Sequence, residues 1–139
     1  VKSCEERVRE SATLASAVNN KYWAAKVEEA LGVVAYTRAA KLFDNPQALE
    51  HYERSNAHFH TAIALFTAIG GPEQLDVASC CVGLGISCGN RRRCVELKEQ
   101  IRLEAVHWYH RGYTIRRKLL GEAHPLTQRA KSGYRAHSE

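Results

Sequence analysis

The feature of this chain that most constrains its fold is a pattern that recurs after about fifty residues. Under a shift of 50 positions, six residues in one segment fall on residues of the same type in another: small, aromatic, small, aliphatic, aliphatic and glycine. The pairs are Ser55 with Ala105, Phe59 with Tyr109, Ala62 with Gly112, Leu65 with Ile115, Ile69 with Leu119, and Gly71 with Gly121. Spacings of three and four place each set on one helix face. The recurrence predicts a repeat architecture, in which neighbouring units bury each other's apolar faces.

A second recurrence lies upstream of the first. Leu31-Gly32 with Ala35 resembles Leu84-Gly85 with Cys88, at a shift of 53 positions. In both places a large apolar residue is followed by glycine and, three residues later, by a small residue. Two helices therefore repeat together, which predicts a helical hairpin as the repeating unit.

Glycine and proline are sparse, and the segments between them have the helical period of three and four. The pattern predicts six helices, near residues 3–18, 21–43, 46–69, 73–88, 91–120 and 125–137. Asp44 or Asn45 can cap the third helix, and Gly70 and Gly121 suit the left-handed position after a helix end. Because the linkers are short, we expect an all-α fold of antiparallel hairpins stacked as a solenoid or bundle.

The length of 139 residues fits a single domain over residues 1–139. The first residue is Val1 and the chain contains no Met, so we expect it to be part of a longer protein. No apolar run reaches the roughly 18–20 residues of a membrane span. The odd count of five cysteines does not make a closed disulfide framework, which indicates a reducing compartment, the cytoplasm.

Positive charge is concentrated towards the C-terminus. Residues 1–90 contain 8 basic and 10 acidic residues, a net charge of −2, whereas residues 91–139 contain 12 and 5, a net charge of +7. The basic part includes two runs, Arg91-Arg92-Arg93 and Arg116-Arg117-Lys118. The alternatives are a solvated helical face and a surface for an acidic peptide, a phosphate or a nucleic acid.

The segment AVHWYHRGYTIRRKLLGEAHP, residues 105–125, resembles the second helix and linker of tetratricopeptide repeats of the kinesin-light-chain type. The segment DVASCCVGLGISCGN, residues 76–90, is similar to the first helix of the same unit. The resemblance implies a tetratricopeptide-like array with elongated helices, because the distances from Gly32 to Ser55 and from Gly85 to Ala105 are 23 and 20 residues. These spacings exceed those of the usual repeat.

In such arrays the first helices of the hairpins line a concave groove that binds an extended peptide or a partner helix. The resemblance places eight residues on the groove face: Lys26, Glu29, Val33, Tyr36, Ser79, Val82, Ile86 and Asn90. This face is mostly apolar. The six residues of the two basic runs would add attraction for acidic side chains: Arg91, Arg92, Arg93, Arg116, Arg117 and Lys118.

Some histidines and cysteines are candidates for catalytic or metal-binding groups. His107 and His110 are three apart on one predicted helix, but no acidic residue stands at a supporting spacing. Cys80, Cys81 and Cys88 lie in an apolar stretch without the Cys-x-x-Cys spacing of a zinc site, so we expect them in the core. No phosphate-loop or nucleophile-elbow motif is present. We therefore expect no enzymatic activity, no metal and no cofactor.

The sequence favours a non-catalytic scaffold or adaptor that binds a peptide or partner helix, with acidic residues in the partner. A basic helical module that binds nucleic acid is the alternative, and its binding would depend strongly on salt concentration. A hydrolase or redox domain is a third hypothesis with less support. We also expect that the chain can self-associate through the exposed ends of the array.

Overall fold

The computed structural model describes residues 3–43, 45–92 and 98–138, and these ranges contain five α-helices and no β-strand. The helices are α1 (Cys4–Leu42), α2 (Gln47–Gly70), α3 (Leu75–Arg91), α4 (Lys98–Leu120) and α5 (Pro125–Ser138). The predicted all-α fold class is confirmed. Within the described ranges, no helix is both long and apolar enough to cross a membrane.

The short linkers begin and end where turn-forming residues stand. Gly71 and Gly121 follow α2 and α4 with φ of 86° and 89°, a left-handed conformation that glycine adopts at little cost. The predicted left-handed residue after α2 was Gly70, which is instead the last residue of the helix. The Asn45 side chain accepts a hydrogen bond from the backbone N–H of Gln47 at 2.9 Å, whereas Asp44 lies outside the described residues.

The first two predicted helices, near residues 3–18 and 21–43, are one continuous helix. Asn19-Asn20 does not interrupt α1, because asparagine costs a helix only a fraction of a kcal/mol and neither glycine nor proline stands there. A helix of 39 residues is about 58 Å long, whereas the 24 residues of α2 span about 36 Å. The first part of α1 therefore extends beyond α2, and the side chains of residues 5–10 are exposed.

The boundary between α3 and α4 also differs from the prediction. We expected Gly89-Asn90 to end a helix and residue 91 to begin the next one, but α3 continues to Arg91. Gly89 is buried, and a Cβ atom there would lie 3.2 Å from Cε1 of His137 in α5. The glycine thus makes room for a neighbouring helix instead of forming a turn. Residues 93–97, where the following helix was also predicted, lie outside the described residues.

Each helix packs against the next one along the chain, and α3 also contacts both α1 and α5. Ion pairs show that α3 and α4 run antiparallel, since Arg91 at the end of α3 pairs with Glu104 early in α4. Glu73 before α3 pairs with Lys118 near the end of α4. The result is a row of stacked helices in which α1, α3 and α5 are neighbours on one side.

The fifty-residue recurrence appears in the core as one packing arrangement used twice. The ring of Phe59 in α2 lies between Gly32 of α1 and Gly83 of α3, where Cβ atoms would lie 2.9 Å and 2.5 Å from ring carbons. The ring of Tyr109 in α4 lies in the same way between Gly85 of α3 and Gly133 of α5. Phe59 and Tyr109 are related by the shift of 50, and so are Gly83 and Gly133. Aromatic rings inserted against glycines therefore hold consecutive units together.

The helix face predicted from the fifty-residue recurrence is only partly buried towards the C-terminal ends of α2 and α4. Ser55, Phe59 and Ala62 are buried, as are their three counterparts in α4. Beyond them Leu65 is half-buried and the adjacent Phe66 is fully buried. The last pair lies mostly outside the core, since Ile69 and Leu119 are 39% and 47% exposed. These residues stand near the C-terminal ends of α2 and α4, where they are only partly covered.

Candidate binding groove

A narrow cavity lies on the side where α1, α3 and α5 are neighbours, with a volume of about 160 Å³. It brings together six of the eight residues that the sequence placed on a groove face. These are Glu29, Val33, Tyr36, Ser79, Val82 and Ile86. Phe59 and Gly83 also line it, as do two cations, Arg116 from α4 and Arg129 from α5.

The other two predicted groove residues lie outside the cavity. Nζ of Lys26 is 3.1 Å from Oε1 of Glu29 and 3.5 Å from Oδ1 of Asp76, so Lys26 joins α1 to α3 at one end of the groove. Burial acts to lower the pKa of Lys26, but its bond to Glu29 leaves that pKa above the ordinary value. Asn90 is half-buried at the end of α3.

Much of the cavity wall is apolar, with Val33, Val82 and the rings of Tyr36 and Phe59 among its lining residues. Val33 is 40% exposed at its mouth, while Val82 is 5% exposed within it. The ring of Tyr36 stacks on that of Phe59 with centroids 6.0 Å apart, and burial raises the pKa of the Tyr36 hydroxyl. The carboxylate of Glu29 already has partners within the protein, because it accepts a hydrogen bond from Lys26 and lies 3.8 Å from the thiol of Cys80.

The basic run at 116–118 does not lie on one exposed face, because the first of its three cations, Arg116, is buried against the wall of the cavity. Its side chain is buried, with 5% exposure, and donates hydrogen bonds to the backbone oxygen of Leu126 and to Oγ of Ser79. Under the fifty-residue shift Arg116 corresponds to Phe66, which is fully buried. Burial, and next the charge of Arg129, lower the pKa of the Arg116 guanidinium, which nonetheless stays charged in proteins.

The two basic runs do not form one surface. Arg91 pairs with Glu104 at 3.2 Å at one end of the α3–α4 hairpin, and Arg92 is half-buried beside it. At the other end, Lys118 pairs with Glu73 at 2.6 Å. The Arg117 guanidinium lies 5.3 Å from the ring centroid of Tyr113. Arg93 lies outside the described residues. The hairpin thus separates the two runs, and several of their charges have partners.

Three residues that line the cavity, Phe59, Gly83 and Arg129, were not assigned to any site from the sequence. A signal for Arg129 was present, because the shift of 50 residues places it on Ser79, which was assigned to the groove face. The same shift from Arg116 to Phe66 indicated a buried position. Phe59 was assigned to packing alone, whereas its ring also forms part of the cavity.

His107 and His110 lie outside the groove. His107 and His110 are exposed on α4 and line a separate cavity of about 400 Å³ together with Glu73 and Arg111. Their rings contact aromatic neighbours, with centroids 4.9 Å from Trp108 and 5.1 Å from Tyr134 respectively. Across the residues that the structure describes, no cluster of three or more His, Cys, Asp or Glu side chains could hold a metal ion.

Cys80, Cys81 and Cys88 are free thiols buried in the core. Burial raises the pKa of Cys81 to about 11 and that of Cys88 to about 12, and it also raises that of Cys80. A pKa about two units above the ordinary value leaves about a hundredfold less thiolate at pH 8. None of the three thiols is therefore poised to act as a nucleophile.

This burial predicts slow thiol chemistry in the folded chain. In a variant with Cys4→Ser and Cys94→Ser, we expect each of the three remaining thiols to react with Ellman's reagent at pH 8 at least about a hundredfold more slowly than in denaturant. Their reactivity should rise as the pH approaches 11, because the thiolate is the reacting form. Rapid reaction of one thiol at pH 8 in the folded chain would contradict its burial.

Comparison of the chain with models of known protein families, with curated proteins and with solved structures found no match.

Proposed function

We propose that this chain is a non-catalytic, tetratricopeptide-like scaffold or adaptor domain that holds a segment of another protein in the groove. The observation that carries the proposal is the convergence of six residues, assigned to a groove from their sequence positions on two helices, on one cavity. Apolar walls and a few convergent polar groups are typical of binding sites. A narrow cavity between two helices suits one side chain of an extended peptide or partner helix.

The arrangement of helices supports a scaffold. The aromatic rings of Phe59 and Tyr109 occupy equivalent positions in successive units, so the array presents the same side of α1, α3 and α5 along its length. Three buried cysteines that form no disulfide support a reducing compartment, and we propose the cytoplasm. Self-association stays a prediction, to be tested by measuring the mass of the chain in solution.

The nucleic-acid alternative has less support. Binding to phosphates would use a continuous basic surface. Here Arg91 and Arg92 lie at the opposite end of the α3–α4 hairpin from Arg117 and Lys118, Arg91 is paired with Glu104, and Lys118 is paired with Glu73. Weak binding of a generic oligonucleotide at low salt would restore this alternative.

Peptides selected from a random display library against the full chain test the proposed function. We expect Val33→Asp to weaken binding of the selected peptides about tenfold or more, because it places a charge in the apolar wall of the groove. Affinity is measured by fluorescence polarisation with labelled peptides. Helical content by circular dichroism should stay unchanged, because Val33 is 40% exposed.

Val27→Asp is the matched control, because Val27 lies on the same helix, is 55% exposed and does not line the cavity. We expect it to leave affinity unchanged. Equal losses in the two variants would place the binding surface elsewhere on α1. A library that yields no enriched peptide would reject the proposed function itself.

A further inference from the structure

Two arginine side chains converge on the groove without an acidic partner. Nη1 of Arg116 donates to the backbone oxygen of Leu126 at 2.9 Å, and Nη2 lies 3.4 Å from Oγ of Ser79. Both acceptors are neutral. In the described part of the chain, neither Arg116 nor Arg129 forms an ion pair. The carboxylate of Glu29 lines the same cavity and its charge acts on Arg116, but Glu29 is paired with Lys26. The described groups therefore leave an excess of positive charge on this side of the cavity.

Burial makes this arrangement costly for Arg116. Its side chain is 5% exposed, and a cation removed from water without a counter-ion is destabilising unless other groups satisfy it. A guanidinium carries five N–H donors, of which the structure assigns two to acceptors. An anion in the adjacent cavity would supply both the missing charge and further acceptors.

Arg129 faces the same cavity from α5 and is exposed. It is close enough for its charge to lower the pKa values of Arg116 and Tyr36. The carboxylate of Glu29 also lines the cavity, but it is paired with Lys26. The two guanidinium groups thus repel each other in the free protein, and a shared anion would remove that repulsion.

We propose that Arg116 and Arg129 bind the carboxylate of an aspartate or glutamate side chain in the protein segment that occupies the groove. Arginine suits this task because its planar fork matches a carboxylate in two parallel hydrogen bonds. The apolar walls at Val33 and Val82 would enclose the methylene groups of the same side chain. This inference rests on the proposed function and names the chemistry of the ligand.

The test uses peptides selected from a random display library against the full chain, followed by replacement of each acidic residue. We expect every selected family to contain an Asp or Glu whose change to Asn or Gln weakens binding about tenfold or more. Arg129→Gln should cause a similar loss. Arg135→Gln is the matched control, because Arg135 is exposed on the same helix and does not line the cavity.

Exchanging the charges of Arg129 and the acidic residue of the peptide tests whether these two residues pair. Arg129→Glu should reject the selected peptide and accept the same peptide with its acidic residue changed to Lys. Equal losses from Arg129→Gln and Arg135→Gln would overturn the inference, because they would indicate general attraction and not a site. Selected peptides that lack acidic residues, yet lose affinity with Val33→Asp, would overturn the inference and leave the proposed function standing.

Arg116 needs a variant that separates binding from folding. Arg116→Met removes the buried cation and keeps an unbranched side chain, so we expect it to fold with a free energy of unfolding no lower than that of the parent chain. Its affinity for the selected peptides should fall about tenfold or more. Retained affinity would overturn the role of Arg116. Tighter binding of a phosphoserine peptide, or displacement by millimolar inorganic phosphate but not acetate, would overturn the carboxylate assignment in favour of phosphate.

Discussion

Phe59→Ala is expected to lower the free energy of unfolding by about 3–5 kcal/mol, the range for large aromatic residues removed from a core. Phe59 is 1% exposed, and its ring contacts helices on both sides. It lies between Gly32 of α1 and Gly83 of α3 and stacks on Tyr36. Because both facing positions are glycines, neither Gly32 nor Gly83 has a side chain that could move into the space. The loss is measured by urea denaturation followed by far-ultraviolet circular dichroism.

Ile69→Ala on the same helix is the control, since Ile69 is 39% exposed at the end of α2. We expect it to cost less than about 1.5 kcal/mol, because Ile69 is already 39% exposed and its removal leaves no enclosed cavity. A domain with a total stability of about 5–15 kcal/mol could be nearly unfolded by Phe59→Ala. Phe59→Leu, a smaller change, then allows the loss to be measured. Equal costs for Phe59→Ala and Ile69→Ala would contradict the packing described for Phe59.

Gly83→Ala is expected to destabilise the chain by about 1–3 kcal/mol, the usual cost of overpacking a core. In an exposed helix the same change would stabilise by about 1 kcal/mol, because alanine has the higher helix propensity. Here a Cβ atom would lie 2.5 Å from Cε1 of Phe59, so α3 and the ring must move apart. Thermal and urea denaturation measure the sign of the change, which distinguishes the two expectations.

The double variant Gly83→Ala with Phe59→Leu identifies the cause. Leucine removes the ring atoms that crowd position 83, so the added methyl group should cost less in this background. The two substitutions should therefore couple by about 0.5–3 kcal/mol, as is usual for residues in contact. Strictly additive effects would show that Gly83 is required for a reason other than its contact with Phe59.

Much of the fold could be predicted from local sequence. The helical period and the turn residues around Gly71 and Gly121 determine where α2 and α4 end, because these effects act within a few residues. The continuation of α1 through Asn19-Asn20 was harder to predict, because an asparagine pair lowers helix propensity without forbidding a helix. The role of Gly89 inside α3 was also hidden, because this glycine lies against His137, which is 48 residues away in the sequence.

The groove residues also include some that the sequence predicted and others that depend on distant contacts. Six of the eight residues assigned by repeat position do meet in one cavity, because residues at equivalent positions of stacked helices face the same way. The role of Arg116 was missed because its charge suggested an exposed position. Its burial depends on Ser79 and on the backbone oxygen of Leu126, which only the packed structure brings to it. Whether these residues bind a partner stays a prediction.

The placement of Phe59 and Tyr109 between consecutive helices has a consequence for the shape of the array. In stacked helical repeats, a small rotation from each unit to the next adds up to the overall curvature. Here each ring is a spacer of defined thickness between glycines on the neighbouring helices. The distance between consecutive helices therefore depends on these two side chains. We expect a smaller residue at either position to let the neighbouring helices approach more closely, and so to change the rotation from one unit to the next while every helix keeps its length.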